Sequence, residues 1–194
     1  MTQLPALRLL GLVLLGAVIS PLGDHIHVAT GTTAYDEMWL RIGDSPLWFP
    51  LFVGISTAAL AETRVRLGGV RAAVSTRWAV GGVAAVMAMY AATGLLRGQP
   101  TALGVTLIAG LAIVVWSVIG DGRGAVCGVV AAVTGTATEA ILSEAGVFHY
   151  ASDSDGLLGV APWLPFLYFT FGVVAAVLGE VSRSRNDQPV SSGG

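Results

Sequence analysis

Six long apolar segments, separated by short polar stretches, constrain most strongly what this chain can fold into. They cover about residues 4–23, 46–61, 78–96, 101–119, 124–142 and 161–181. A helix needs roughly 20 mostly apolar residues to cross the hydrocarbon core of a bilayer. Only the second segment is clearly shorter, and we expect Trp48 and Phe49 to anchor one of its ends at the membrane interface. The pattern predicts an all-α membrane protein, a bundle of six transmembrane helices.

Composition excludes several other classes of protein. Hydrophobic residues make up 54% of the chain and charged residues only 11%, whereas a soluble domain carries roughly 25% charged residues. The net charge of −2 and the lack of a basic patch with interleaved aromatic residues exclude nucleic acid as a partner. The single cysteine, Cys127, excludes a disulfide framework and a cysteine-based metal site.

The positions of the arginines predict the orientation of the bundle. Eight of the ten basic residues fall on one side if six segments span, and only Arg41 and Arg97 fall on the other. Positive charge concentrates on the cytoplasmic side, so we expect both termini in the cytoplasm of a bacterium, with the protein in its plasma membrane. Residues 1–182 should form the transmembrane domain, with a retained first helix, and residues 183–194 a disordered cytoplasmic tail.

The last forty residues of this domain carry a motif. It comprises Gly146-Val147-Phe148-His149-Tyr150, Ser152, Trp163-Leu164-Pro165, Phe169 and Gly172-Val173. In this stretch, most specifically at Tyr150, Trp163, Leu164, Pro165 and Gly172, the chain resembles the Insig (insulin-induced gene) family, as a prokaryotic member. Weaker similarities occur around Trp48, Trp78, Trp116 and Asp121.

The resemblance implies a six-helix membrane fold with cytosolic termini and no catalysis. Insig proteins bind lipid between helices, an oxysterol in animals, and hold the sterol-sensing protein Scap. The glutamine that contacts sterol in that family falls here near Leu103 or Gly104, neither of them polar. Asp121 matches the aspartate that the family needs for Scap, although it also suits a turn. The protein partner of this chain is therefore left unidentified.

Glu139 is the one acidic residue well inside a predicted span. An ionisable group there costs several kcal/mol unless it is paired, protonated or near water. One interpretation makes it the polar end of an internal lipid cavity, where it accepts a hydrogen bond from a ligand hydroxyl. The other places it at the interface or in a hydrogen bond between helices, with Thr136 or Thr138.

Seven further residues complete the predicted lipid-binding set: Thr57, Met87, Met89, Tyr90, Thr106, Trp116 and Thr134. The threonines could offer hydroxyls to a ligand, although threonine often bonds its own helix carbonyls instead. Methionine suits an irregular pocket and an ordinary core equally. Trp116 fits an interface anchor as well as a pocket wall.

The histidines do not predict a metal site. Asp24, His25 and His27 lie close in sequence and His149 falls on the same predicted side, but this spacing is a weak ligand pattern, and we expect solvated loop residues. The Trp163-Leu164-Pro165 triplet should start the last helix, with Trp163 at the interface and proline in the first turn.

These observations favour an intramembrane lipid-binding protein without catalytic activity or cofactor. The expected ligand is a neutral lipid such as diacylglycerol, and the expected role is regulatory or scaffolding. We expect a homo-oligomer, specifically a trimer. The alternative is a small membrane transporter or channel subunit, although no internal repeat is visible. An intramembrane enzyme is a third reading, for which the sequence shows no nucleophile–base pair.

Overall fold

A computed structural model describes residues 3–36, 40–71 and 74–184 as a bundle of long helices. The helices are α1 (Ala6–Ala29), α2 (Trp48–Arg66), α3 (Thr76–Leu95), α4 (Thr101–Ile119), α5 (Gly122–Glu144) and α6 (Leu164–Ser184). Five of them are long and apolar enough to cross a membrane. The exception is α2, whose last turns carry Glu62, Arg64 and Arg66. The all-helical fold is confirmed, while the crossing of all six helices stays a prediction.

Local chemistry explains where helices begin. Asp121 caps α5, and its carboxylate accepts a hydrogen bond of 2.6 Å from the Gly124 amide, which satisfies one of the free donors of the first turn. Pro165 lies in the first turn of α6, where its missing N–H costs little. The sequence triplet at 163–165 therefore starts the last helix as predicted.

The last helix, α6, is the hub of the bundle. It packs against α2, α3, α4 and α5, and 61% of its apolar window is buried, against 17–28% for the other four apolar helices. A Cβ on Gly172 would lie 2.8 Å from the Ala131 Cβ of α5, and one on Gly179 would lie 3.0 Å from the Ala61 Cα of α2. Two glycines of α6 thus let neighbouring backbones approach closely, as small residues do between membrane helices.

Four short strands lie in the connections at one end of the bundle, which we call the hairpin end. Strand β1 (Thr33–Tyr35) pairs antiparallel with β4 (Phe148–Tyr150), and β2 (Arg41–Ile42) pairs with β3 (Ser45–Pro46). The first pair ties the segment after α1 to the segment after α5. It thereby fixes Tyr35 and Tyr150 over the ends of those helices.

Two predictions for this end of the chain are wrong. Asp24, His25 and His27 lie in the last turns of α1 and not in a loop, and Asp24 and His27 are only 5% and 4% exposed. Trp163 is 6% exposed because its ring packs edge-on against His27 and Tyr150, so it is not an interface anchor. The predicted tail falls mainly at 185–194, outside the described residues, and residues 183 and 184 belong to α6.

Candidate functional site

A groove opens between α1, α3 and α6, near the opposite end of the bundle. Arg64, Arg71 and Arg123 lie at that end, which we call the arginine end. The groove has an empty volume of about 1290 Å³, including space open to the surroundings. Its lining consists of Arg8, Gly11, Leu12, Leu15, Ile19, Thr76, Ala79, Val80, Val83, Leu178, Val181 and Ser182. The groove is thus apolar along its length and carries polar groups at its arginine end.

A second space, the chamber, lies deeper in the bundle between α1, α2, α3 and α6. It has an empty volume of about 540 Å³. Residues that line it are Leu15, Gly16, Ile19, Ser20, Val53, Thr57, Val83, Val86, Met87, Tyr90, Phe171, Val174, Ala175 and Leu178. The chamber shares Leu15, Ile19, Val83 and Leu178 with the groove. The two spaces therefore adjoin along one wall each of α1, α3 and α6.

A third space, the carboxylate cavity, lies at the hairpin end, with an empty volume of about 500 Å³, including space open to the surroundings. It is lined by Asp24, His27, Thr33, Tyr35, Trp48, Phe49, Phe52, Tyr90, Thr138, Glu139, Leu142, Phe148, Tyr150, Leu164 and Tyr168. Of these residues, only Tyr90 also lines the chamber. Two carboxyl groups and eight aromatic rings of Phe, Tyr and Trp thus surround one space.

Each carboxyl group of this cavity accepts two hydrogen bonds from hydroxyl groups. Glu139 accepts one of 2.5 Å from Tyr150 and one from Tyr168. Asp24 accepts one of 2.9 Å from Tyr35 and one of 2.5 Å from Ser45. Burial raises the pKa of Tyr35 and that of Tyr150 above the ordinary tyrosine value. Both phenols therefore stay protonated and act as donors.

Four of the eight predicted lipid-binding residues line these spaces. Thr57, Met87 and Tyr90 line the chamber, and Tyr90 and Glu139 line the carboxylate cavity. The Thr57 hydroxyl donates to the Val53 carbonyl at 2.8 Å, so it is free only to accept from a ligand. Glu139 does bond other elements, but through two tyrosines and not through Thr136 or Thr138.

The other four predicted residues lie elsewhere. Met89 is 1% exposed and packs in the core with Ile108 and Trp163. Thr106 and Thr134 are exposed, and the Thr134 hydroxyl bonds the Val130 carbonyl of its own helix. Trp116 is 38% exposed, and its indole N–H donates to the Asp121 carbonyl at 3.1 Å.

The three histidines do not come together. His25 lies 2.5 Å from the Asp44 carboxylate, His27 is bonded to the Thr93 hydroxyl at 2.8 Å, and His149 lies 4.0 Å from Asp36. Across residues 3–36, 40–71 and 74–184, no group of three or more His, Cys, Asp and Glu side chains is placed to hold a metal ion.

Comparison with known proteins identifies the family. No protein-family model matches the sequence. An INSIG protein homolog of Mycolicibacterium vanbaalenii is 51% identical over 178 residues, which cover 91% of this chain and 87% of that protein. The chain belongs to the Insig family.

Solved structures of an Insig homolog share this fold. The crystal structure of the mycobacterial homolog MvINS, from Mycobacterium vanbaalenii, is 48% identical, with a TM-score of 0.94 over 97% of this chain and all of that one. A cross-linked trimer of an arginine-to-cysteine variant of MvINS gives a TM-score of 0.93 at the same identity and coverage. Membership of the Insig family, together with the apolar helices, makes this chain an integral membrane protein.

The Insig motif residues hold the hairpin end together. The Tyr150 hydroxyl bonds Glu139, and its ring faces Trp163 at 6.2 Å. Leu164 lines the carboxylate cavity and begins α6, in which Pro165 occupies the first turn. Gly172 lies further along α6, where it allows α5 to approach. The motif therefore builds the wall of the carboxylate cavity and the packing of the hub helix.

Asp121 belongs to an ion cluster at the arginine end. The resemblance to the Insig family aligned this residue with the aspartate that the family needs for its protein partner. Arg64 lies 2.8 Å from the Asp121 carboxylate and 2.5 Å from that of Glu180, and the side chains of Arg64 and Glu180 are both 0% exposed. Arg71 lies 2.6 Å from Glu180. The hydrogen bonds that Arg71 donates to Glu180 raise the pKa of Arg71. The cluster joins α2, α5, α6 and the segment after α2.

Sequence reasoning missed Asp24, Thr33 and Tyr35 of the carboxylate cavity and Arg8 of the groove. Asp24 and His27 are three residues apart, a spacing that places both on one face of a helix, and this signal could have extended the first helix beyond residue 23. The partners of Asp24 could not be found in this way. Tyr35 and Ser45 reach it only because the strands fold back over the end of α1.

Proposed function

We propose that this chain is an intramembrane lipid-binding protein of the Insig type with a regulatory or scaffolding role, and that it holds a neutral lipid in the groove and chamber. The observation that carries the proposal is that two apolar spaces share four lining residues of α1, α3 and α6. Adjoining apolar spaces suit a ligand with two acyl chains.

The polar groups of the groove suit a small hydroxyl-bearing headgroup. Thr76 and Ser182 lie at its arginine end and can donate to, or accept from, a hydroxyl or an ester carbonyl. Arg8 is the only charged residue among the described residues of the lining, and its Nη1 is buried without a hydrogen-bond partner. Diacylglycerol, with one hydroxyl and two ester carbonyls, supplies acceptors for Arg8 without bringing a charge into the bundle.

Glu139 has a different place in this proposal from the one expected from sequence. It lines the carboxylate cavity at the hairpin end, whereas the polar groups of the groove, Arg8, Thr76 and Ser182, lie at the arginine end. The headgroup therefore lies at the arginine end, and Glu139 does not take the lipid hydroxyl.

Orientation and assembly complete the proposal. The positive-inside rule places the arginine end on the cytoplasmic side of a bacterial plasma membrane, so a lipid would enter the groove from the inner leaflet. The description of MvINS as a cross-linked trimer supports a homotrimer for this chain. Lipid bound between α1, α3 and α6 would change how those helices pack and would thereby change which protein partner the bundle binds.

Mass spectrometry of lipids that copurify with the protein tests the proposal. Val83 lines both the groove and the chamber, so Val83→Trp should obstruct both spaces and reduce the copurified lipid about tenfold. Ala84→Trp is the matched control, because Ala84 is the next residue of α3 and is exposed. Its lipid content should equal that of the unaltered protein.

Enrichment of diacylglycerol over the bulk membrane, lost in Val83→Trp and kept in Ala84→Trp, is the expected result. Enrichment of an anionic lipid would overturn the neutral ligand. A lipid profile equal to that of the bulk membrane would overturn lipid binding altogether, and ion or solute flux in proteoliposomes would then favour a transporter or channel subunit.

A further inference from the structure

We propose that the carboxylate cavity binds a primary ammonium group, carried by a free alkylamine or by the headgroup of an aminophospholipid. This site goes beyond the proposed lipid function and shares only Tyr90 with the chamber. The inference rests on the acceptors, the aromatic rings and one unused hydroxyl that line the cavity.

The lining has acceptors without a matching cation. Asp24 and Glu139 both line the space, and no Lys or Arg is among the described lining residues. A carboxylate offers about four acceptor positions in all, and each of these carboxylates uses two for hydroxyl donors. Both keep room for a further donor, and a buried carboxyl group is stabilised either by a proton or by a positive charge beside it.

Thr33 provides an independent indication of a ligand. Its side chain is 5% exposed and lines the cavity, yet its Oγ1 is buried and forms no hydrogen bond within the protein. An unsatisfied buried hydroxyl costs free energy. A donor in the cavity would satisfy it.

The number of donors selects the class of cation. A primary ammonium has three N–H donors, and the cavity offers three kinds of free acceptor, from Asp24, Glu139 and Thr33. A quaternary ammonium has no N–H donor and would leave all three unmatched. The aromatic walls attract ammonium groups of every kind, so the preference for a primary ammonium rests on its N–H donors.

The opening of the cavity explains how a stem could enter. Trp48 and Phe52 line it and are 38% and 41% exposed. Both belong to α2, which makes few contacts with α5 in the bundle. The exposed faces of Trp48 and Phe52 lie at the level where headgroups meet acyl chains, if the chain spans the membrane as proposed.

Titration calorimetry of the purified full chain with n-butylammonium chloride tests the site, with tetramethylammonium chloride as the comparison cation. We expect butylammonium to bind and tetramethylammonium to bind at least about tenfold more weakly. Thr33→Val should weaken butylammonium about tenfold, and because the hydroxyl has no partner in the protein, this variant keeps every hydrogen bond of the fold. Thr101→Val is the control, since it makes the same change at an exposed residue of α4 outside the cavity lining, and its affinity should be unchanged.

A second arm distinguishes the source of the amine. Native mass spectrometry from nanodiscs should compare retained phosphatidylethanolamine with phosphatidylcholine of the same acyl chains. Selective retention of phosphatidylethanolamine, displaced by butylammonium and reduced by Thr33→Val, assigns the site to the lipid headgroup. Butylammonium binding without such retention assigns it to a free amine. No butylammonium binding, or equal binding of the two cations that is insensitive to Thr33→Val, would overturn the inference.

Discussion

The ion cluster at the arginine end makes a sharp prediction about stability. Arg64 is fully buried and donates to the carbonyls of Gly68 and Gly69 as well as to Asp121 and Glu180. In Arg64→Leu the carboxylates of Asp121 and Glu180 would lose the buried guanidinium that bridges them. Removing one partner of a buried ion pair costs about 3–5 kcal/mol.

Thermal unfolding of the detergent-purified protein, followed by tryptophan fluorescence, measures this loss. A change of 1 kcal/mol shifts the Tm of a chain of this length by about 2–4 °C, so the expected decrease is about 6–20 °C. Arg66→Leu is the matched control. Arg66 lies two residues after Arg64 on the same helix, but its side chain is 49% exposed and forms an ion pair with Glu62. Its replacement should lower the free energy of unfolding by only about 0.3–0.5 kcal/mol.

The double variant separates charge balance from simple truncation. Arg64→Leu combined with Glu180→Leu leaves Arg71 and Asp121 as one balanced pair, 3.9 Å apart. Because a buried ion pair can often be replaced by apolar residues at little cost, the double variant should recover at least half of the single-variant loss. Equal Tm shifts in Arg64→Leu and Arg66→Leu would refute this reasoning. So would a double variant whose loss of stability equals the sum of the losses measured for Arg64→Leu and Glu180→Leu separately.

Three other predictions concern the hub helix and the hairpin end. Gly172→Ala should lower the free energy of unfolding by about 1–3 kcal/mol, because its Cβ would lie 2.8 Å from a neighbouring side chain. Gly110→Ala, with nothing within 4 Å, should raise it by up to about 1 kcal/mol, so thermal melts should shift in opposite directions. Tyr168→Phe removes a donor to Glu139 and should cost about 1.5–3 kcal/mol; an unchanged Tm would show that this bond does not stabilise the fold. The pKa of Tyr35 is raised in the folded state, so its contribution is complete below pH 10 and is lost as the pH rises further. Melts between pH 9 and pH 11 should show this alkaline loss, and Tyr35→Phe should reduce it.

Hydrophobic patterning located the helices because each span must be apolar for a long stretch, and six helices were found near the six segments. It failed at the end of α1. Asp24 and His27 look like the start of a polar loop, yet their polar atoms are satisfied inside the bundle by Ser45, Tyr35 and Thr93. Patterning cannot detect a polar residue whose partners lie on other elements.

The candidate site divides in the same way. Glu139 stood out because it is an acid in an apolar segment, and Tyr90 and Met87 lie on the helix that lines the chamber. Thr106 and Thr134 were chosen by residue type alone. No sequence signal fixed how their helices are rotated, and in the structure both side chains are exposed and line none of the three spaces. The groove has no motif at all, since it is formed by ordinary apolar residues of three helices that come together only in the fold.

The central position of α6 has a consequence for how the protein is made. This helix begins at Leu164, and ribosomes add about 5–20 residues per second. Roughly 8–33 s therefore separate the synthesis of residue 1 from that of Leu164. Until then α2, α3, α4 and α5 lack the helix that all four contact, although α1 and α2 can already pack against each other. The factors that monitor membrane-protein folding would therefore encounter every copy of this protein first without its central helix α6.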